Sequence, residues 1–147
     1  MALEIEHKYL VKNDSFKRLA DSSVSILQGY LSRDPERTVR VRVKGERGYL
    51  TVKGRNAGAT RLEFEYEIGR EDAERLLALC VPPILEKTRY IVPYDGHVWE
   101  VDEFHGDREG LVTAEIELCR EDEEYSIPGF IGDDVTDNPA YYNSNLA

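Results

Sequence analysis

Glu4, Glu6 and Lys8 alternate along the stretch from Glu4 to Val11, so two carboxylates and an ammonium share one face of an extended strand. Ile5, His7, Tyr9 and Val11 share the other. Carboxylates are hard oxygen ligands for a divalent cation, and an ammonium is a point charge for a phosphate. A face that carries both suits a site holding a metal and an anion together. The same triplet is also ordinary on an antiparallel strand with one solvated face. What shifts the balance is that this kind of face recurs along the chain.

From Thr38 to Lys44, Val39, Val41 and Val43 oppose Arg40, Arg42 and Lys44; from Arg61 to Ile68, Glu63, Glu65 and Glu67 oppose Leu62, Phe64, Tyr66 and Ile68. Collected by polar parity, the bases are Lys8, Arg40, Arg42, Lys53, Lys87 and Arg89. The acids are Glu4, Glu6, Glu63, Glu65, Asp102, Glu115 and Glu117. If the strands close with this parity inward, both sets line one channel suited to a polyanion with its divalent cations. Arginines bond phosphate oxygens in bidentate fashion, while the carboxylates suit Mg²⁺ or Mn²⁺. The alternative is a sandwich with scattered surface ion pairs, each worth about 0–1 kcal/mol. The acid pairs Glu4/Glu6, Glu63/Glu65 and Glu115/Glu117 favour a site, because like charges so close need a cation or a base to offset them.

Eight strands are expected to position these groups: residues 4–11, 26–31, 38–44, 49–53, 61–68, 86–93, 97–104 and 111–120. Asn13-Asp14-Ser15 caps a short helix through Phe16 and Leu19. Ala73, Leu76, Leu77 and Cys80 fall at helical spacing in a second helix, with Pro82-Pro83 as its stop. The tail from Ile127 reads as loop-like pieces and a final helix over residues 139–146. Eight strands with short connections suggest an α+β protein built on a large antiparallel sheet closed into a barrel, as one domain over residues 1–147.

A net charge of −10 excludes a nucleic-acid-binding surface and offers no basic segment for a membrane. Any anion site must therefore come from locally gathered bases. Cys80 and Cys119 have no metal or redox spacing, no leader-like segment is read at the start, and the apolar run Leu76–Leu85 is too short to span a bilayer. The expected setting is the cytoplasm.

Several of these segments resemble a known family. Glu-Ile-Glu-His-Lys at 4–8 resembles the ExExK signature of the CYTH superfamily, the triphosphate tunnel metalloenzymes. Val-Arg-Val-Arg at 39–42, Thr-Val-Lys-Gly at 51–54, Arg-Leu-Glu-Phe-Glu at 61–65, Glu-Lys-Thr-Arg-Tyr at 86–90, Trp-Glu-Val-Asp at 99–102 and Ala-Glu-Ile-Glu at 114–117 follow in family order. The tail at 135–147 is similar to that of the short bacterial members. The resemblance spans the chain and implies an eight-stranded antiparallel barrel with a hydrophilic tunnel. By the match, Lys8, Arg40, Arg42, Lys53, Lys87 and Arg89 hold phosphate oxygens. Glu4, Glu6, Asp102, Glu115 and Glu117 hold metal directly or through water, and Glu63 and Glu65 support the metal or the attacking water. Tyr30, in Gln-Gly-Tyr-Leu, resembles a tyrosine that touches the catalytic lysine, here Lys87; the other reading is a tyrosine packed in the wall.

The implied activity is metal-dependent hydrolysis of the terminal phosphoanhydride of a triphosphate, with inorganic tripolyphosphate as the expected substrate. The alternatives are a class IV-type adenylate cyclase, a nucleoside or thiamine triphosphatase, and a polyphosphate-binding module without turnover. Cyclisation of ATP needs an adenosine pocket and thiamine needs an aromatic platform. Trp99, the single tryptophan, lies on the parity opposite Asp102. Family members are often dimeric, so a homodimer is a further expectation; no nucleic-acid or membrane partner is expected.

Overall fold

The computed structural model describes residues 3–146; Met1, Ala2 and Ala147, the ends of the expected domain and of the tail motif, lie outside the described residues. The strands are Leu3–Val11 (β1), Ser22–Ser32 (β2), Thr38–Lys44 (β3), Arg47–Lys53 (β4), Thr60–Ile68 (β5), Val81–Tyr94 (β6), His97–Phe104 (β7), Val112–Glu117 (β8) and Ile131–Asp134 (β9). Helices occupy Phe16–Leu19 (α1), Arg70–Leu77 (α2) and Asn143–Leu146 (α3).

Tight hairpins set much of the register. Gly45, at φ 58°, turns β3 into β4 across a two-residue connection that pairs Lys44 with Arg47. Asp95 and Gly96 both have positive φ, the conformation of a type I′ turn, and join β6 to β7 with Tyr94 opposite His97. The sheet runs β5-β4-β3-β2-β6-β7-β8-β1, and the pairing of Leu3–Ile5 with residues 60–62 of β5 closes those eight antiparallel strands into a barrel. β1 is shared: beyond Ile5 its free edge is taken by β9.

The apolar core lies outside the barrel. Tyr9, Val92, Trp99, Val101, Ala114 and Ile116 project outward and are covered by Phe16 of α1 and by Leu118, Phe130 and Ile131 of the segment after β8. On the opposite side Val41 and Val43 pack under Ala73 of α2 and Cys80. A Cβ at Gly48 would lie 2.6 Å from that of Ala73, so the bare backbone of β4 is what lets α2 sit this close. Burying side chains of this size contributes about 1.5–3 kcal/mol each, so the barrel is held from without and its interior is free to be polar.

Several boundaries depart from the sequence expectation. α2 ends at Leu77, and Pro82-Pro83 stand near the start of β6 rather than stopping the helix. Near a strand start their missing N–H groups remove few ladder bonds. β2 begins at Ser22, where Ser22 and Ser23 gain partners in Ile91 and Tyr90. β8 stops at Glu117, with Leu118 making only a backbone bond to Ile5. β9 falls in what reads as loop, because Ile-Gly-Asp-Asp is too short and polar to show a period.

Candidate active site

Inward parity brings the acids and bases together as interlocked pairs. Lys87 Nζ donates to Asp102 Oδ2 at 2.7 Å, and Arg89 donates to both oxygens of the same carboxylate at 2.8 and 3.0 Å. Arg89 also reaches Glu115 and Glu100, each at 3.3 Å. Lys53 bonds both oxygens of Glu4, at 2.9 and 3.1 Å, and lies 3.3 Å from Glu63. Arg40 contacts Thr51 at 3.2 Å and Glu65 at 3.4 Å. Among the described residues Arg42 has no carboxylate partner; it donates twice to Gln28 Oε1, at 3.0 and 2.8 Å. Lys8 Nζ is 3.7 Å from Glu115 and donates to the Tyr141 carbonyl at 2.8 Å.

Two cavities run through this network. The larger, about 140 Å³, is walled by acidic and basic side chains and Asn143: Glu4, Glu6, Glu63, Glu65, Glu100, Glu115 and Glu117 face Arg40, Arg42, Lys44, Lys53 and Arg89. The smaller, about 60 Å³, shares Glu4, Glu6, Arg40, Lys53, Glu115 and Asn143 with it and adds Lys8, Tyr30, Thr38, Arg61 and Tyr142, among others. The shared walls make the two cavities one bore. Of the expected site residues, only Lys87 and Asp102 border neither cavity; both lie sealed behind the lining.

Burial and charge act unequally on the lining. Burial, with Arg89 and Arg42 nearby, lowers the Lys87 ammonium to about 7 despite Asp102. Burial alone would raise the Asp102 carboxyl, but Arg89 and Lys87 hold it far below the usual range. Burial opposes Glu115 likewise, and Lys8 and Arg89 bring it down to about 2. Burial and the neighbouring Arg40 and Arg89 lower Arg42 to about 9, which leaves it cationic at neutral pH. Glu6 goes the other way: desolvation, then the charges of Glu115 and Glu4, push its carboxyl well up. Glu63 and Glu117 are also raised, burial first and neighbouring glutamates second. The bore thus has a deep, neutralised end at Lys87–Asp102–Arg89 and a carboxylate excess around Glu6.

The sequence pattern of the CYTH domain matches residues 2–139. This chain belongs to the CYTH family. It is 50% identical over 147 residues to an inorganic triphosphatase of Acetivibrio thermocellus, covering 99% of this chain and 94% of that one. It is 33% identical over 149 residues to an inorganic triphosphatase of Nitrosomonas europaea, covering 98% and 96%. A solved inorganic triphosphatase superposes with a TM-score of 0.69 at 30% identity, over all of this chain and 95% of that one.

CYTH membership implies a metal cofactor. Among the described residues no three His, Cys, Asp or Glu side chains form a ready-made metal cluster, because most carboxylates are turned toward a base. The donor set nevertheless fits a hard divalent ion. Glu4, Glu6, Glu115 and Glu117 border one cavity, and the raised Glu6 carboxyl marks uncompensated negative charge that such an ion would offset. Asp102, which the motif implies as a metal ligand, has both oxygens accepting from Lys87 and Arg89, so in this structure it anchors bases.

Tyr30 borders the bore away from Lys87. Among the described residues its hydroxyl makes no hydrogen bond to Lys87; its ring packs with Leu85, Phe104 and Leu146 and borders the smaller cavity. The cause is register. Lys87 pairs with Ile26 of β2, whereas Tyr30, beyond a bulge, pairs with Val81. Four residues of strand, about 13 Å, separate the two positions. His7 lies on the outer side, its ring 5.9 Å from that of Tyr125, and Trp99 is fully buried in the outer core.

The bore of this CYTH barrel also holds residues that sequence reasoning did not assign to it. Lys44 and Glu100 share the parity of Arg42 and Asp102, and that spacing could have found them. Gln28 carries no charge to reveal it, and Asn143 comes from the tail, where no strand parity applies.

Proposed function

We propose that this chain, as a single CYTH domain, hydrolyses the terminal phosphoanhydride of inorganic tripolyphosphate with Mg²⁺ or Mn²⁺. The observation that carries the reading is the composition of the larger cavity, walled by carboxylates, guanidinium and ammonium groups and one amide. Among the described residues the larger cavity has no aromatic side chain in its wall to stack a purine or a thiazolium ring, and many groups to bind phosphoryl oxygens. The naming of the relatives as inorganic triphosphatases supports the same substrate.

In this reading Arg40, Arg42, Lys53, Lys8 and Arg89 exchange their carboxylate, amide and carbonyl partners for phosphoryl oxygens, which fixes the chain for in-line attack. Glu4, Glu6, Glu115 and Glu117 hold the divalent cation, with Asp102 setting the bases behind them. When bound, that ion supplies charge neutralisation and Lewis acidity at the phosphoryl oxygens. Glu63 and Glu65 orient the attacking water; the raised Glu63 carboxylate is the better proton acceptor. As the bridging P–O bond breaks, Arg89, which borders the larger cavity, stabilises the charge on the departing pyrophosphate, with Lys87 behind it on the shared Asp102 carboxylate. Tyr30 serves as part of the tunnel wall.

The test is phosphate release from tripolyphosphate by purified protein with Mg²⁺ or Mn²⁺ against an EDTA blank, with ATP and thiamine triphosphate in parallel. Preferred release from tripolyphosphate is expected. Binding without release would indicate a polyphosphate-binding module, and cyclic AMP from ATP a cyclase.

A homodimer is part of the proposal. Leu62, Phe64 and Tyr66 point outward from β5, 49%, 43% and 58% exposed, with Leu3 beside Leu62 and also exposed. This is the stretch of wall that neither α1 nor α2 covers, and a second copy would bury it. Sedimentation of wild type and Tyr66→Glu would test it, with a monomeric wild type as the contrary result. Both cysteines are free, in keeping with a cytoplasmic setting; no described helix is long and apolar enough to cross a membrane.

A further inference from the structure

The tail after β9 turns back into the bore. Lys8 holds it at three points: its N–H donates to Thr136 Oγ1 at 3.0 Å, its carbonyl accepts from Val135 N at 2.8 Å, and its ammonium donates to Tyr141 O at 2.8 Å. Farther along, Leu146 is buried among Tyr30, Leu85 and Phe104, and its carbonyl accepts from Arg108 Nε at 2.9 Å. Asn145 ties the last turn to itself, donating from its side chain to Pro139 O at 2.7 Å. Asn143 lies between these anchors and takes no part in them. It borders both cavities, and its Oδ1 is sealed from solvent with no hydrogen-bond partner among the described residues.

A buried amide oxygen without a partner is unfavourable unless something else meets the group. Bases that can hold an anion stand around the same space: Arg40 and Lys53 border both cavities with it, as do Glu4, Glu6 and Glu115, and Lys8 borders the smaller one. The two ends of a primary amide exchange by a half-turn about the last torsion, so the same position can offer either the oxygen or the NH₂ group to the bore.

We propose that Asn143 is a specificity-determining residue, donating its side-chain NH₂ to an oxygen at the end of the phosphate chain. Tyr142 and Ser144 flank it along the smaller cavity, so a group esterified to that end would have to pass them. The tail thereby accepts a bare phosphoryl terminus and rejects a nucleoside. This rests on the triphosphatase reading and adds to it a residue that belongs to no strand of the barrel.

The test uses the full chain carrying Asn143→Ala and Asn143→Asp. Calorimetric binding of tripolyphosphate without metal is measured beside KM and kcat for tripolyphosphate and ATP with Mg²⁺. Asn143→Ala is expected to weaken binding and raise KM by roughly 10- to 100-fold, as for a lost hydrogen bond to a charged acceptor. It should change kcat little and raise the ratio of ATP to tripolyphosphate kcat/KM. Asn143→Asp, equal in size but anionic, should lose more. The anchoring bonds belong to neighbouring residues, so the melting temperature should stay close to that of the wild type. Unchanged binding and an unchanged ratio overturn the proposal, as does a loss confined to kcat. A wild type that releases no phosphate sinks the triphosphatase reading instead, and the calorimetric comparison then still decides whether Asn143 grips the ligand.

Discussion

Lys87 and Asp102 face each other at 2.7 Å with 0% and 1% of their side chains exposed, the most deeply sealed ion pair of the barrel. Arg89 completes a triad by gripping the same carboxylate. Removing the acid leaves Arg89 a buried cation without its two-point partner and Lys87 without its acceptor. Asp102→Asn, which keeps the shape, is expected to lower the unfolding free energy by about 3–5 kcal/mol. Urea denaturation of the two proteins measures this; a loss below about 1 kcal/mol would put the pair among ordinary surface bridges.

Ligand binding should move a proton onto Lys87. In the free protein its ammonium is lowered to about 7, burial first, from an ordinary value of 10.5. A triphosphate in the bore in front of it favours the charged form, so the value rises on binding, and above pH 7 the complex holds more protons than its components. Titrations at pH 8.5 in buffers of different ionisation enthalpy should reveal net proton uptake. Lys87→Met should remove most of it while leaving the guanidinium contacts in place. Equal uptake in the variant would assign the proton elsewhere.

The carboxylate excess gives a stability signature of opposite sense. Glu6, Glu63 and Glu117 are raised above their ordinary 4.5 in the folded state. A raised acid binds more protons folded than unfolded, so stability falls as pH rises from 4.5 through the folded value. With EDTA present, the melting temperature should therefore be higher at pH 5.5 than at pH 7.5. Millimolar Mg²⁺ should shrink the difference by stabilising the high-pH form. Glu6→Gln should also shrink it; a slope identical to wild type would exclude Glu6 as its source.

Gln28 is a positioning residue for Arg42, whose Nε and Nη2 both bond its side-chain oxygen. Gln28→Leu frees the guanidinium and leaves it without a protein acceptor among the described residues. KM for tripolyphosphate should rise by roughly tenfold, the worth of about 1.4 kcal/mol, with kcat nearly unchanged. Gln28→Glu supplies an acceptor but also a competing charge, so it should bind substrate more weakly still. Recovery of wild-type KM in Gln28→Glu would mean that orientation alone matters.

What the sequence discloses is whatever obeys a period. Val39, Val41 and Val43 against Arg40 and Arg42 could be set on opposite sides of a wall from spacing alone, and eight such ribbons imply the barrel that is observed. Charge made Glu6 and Glu115 visible as bore candidates for the same reason. Tyr30 keeps the bore's parity, opposite Arg40, but its distance along β2 from the partner of Lys87 is a matter of register that spacing does not reveal. Asn143 and Gln28 are neutral amides, indistinguishable in type from surface residues. β9 exists because β1 has a vacant edge past Ile5, a fact of tertiary structure that Ile131–Asp134 cannot announce. Which acid meets which base is likewise beyond the pattern: Asp102 lies among many carboxylates, and only depth makes it the anchor of Lys87.

Trp99 and Glu100 are neighbours on β7, one locked into the outer packing and the other bordering the bore. Successive letters of each wall strand therefore answer to different demands, one to folding and the next to reactivity. Selection can rewrite the lumen, letter by letter, without loosening the clasp that keeps the staves together.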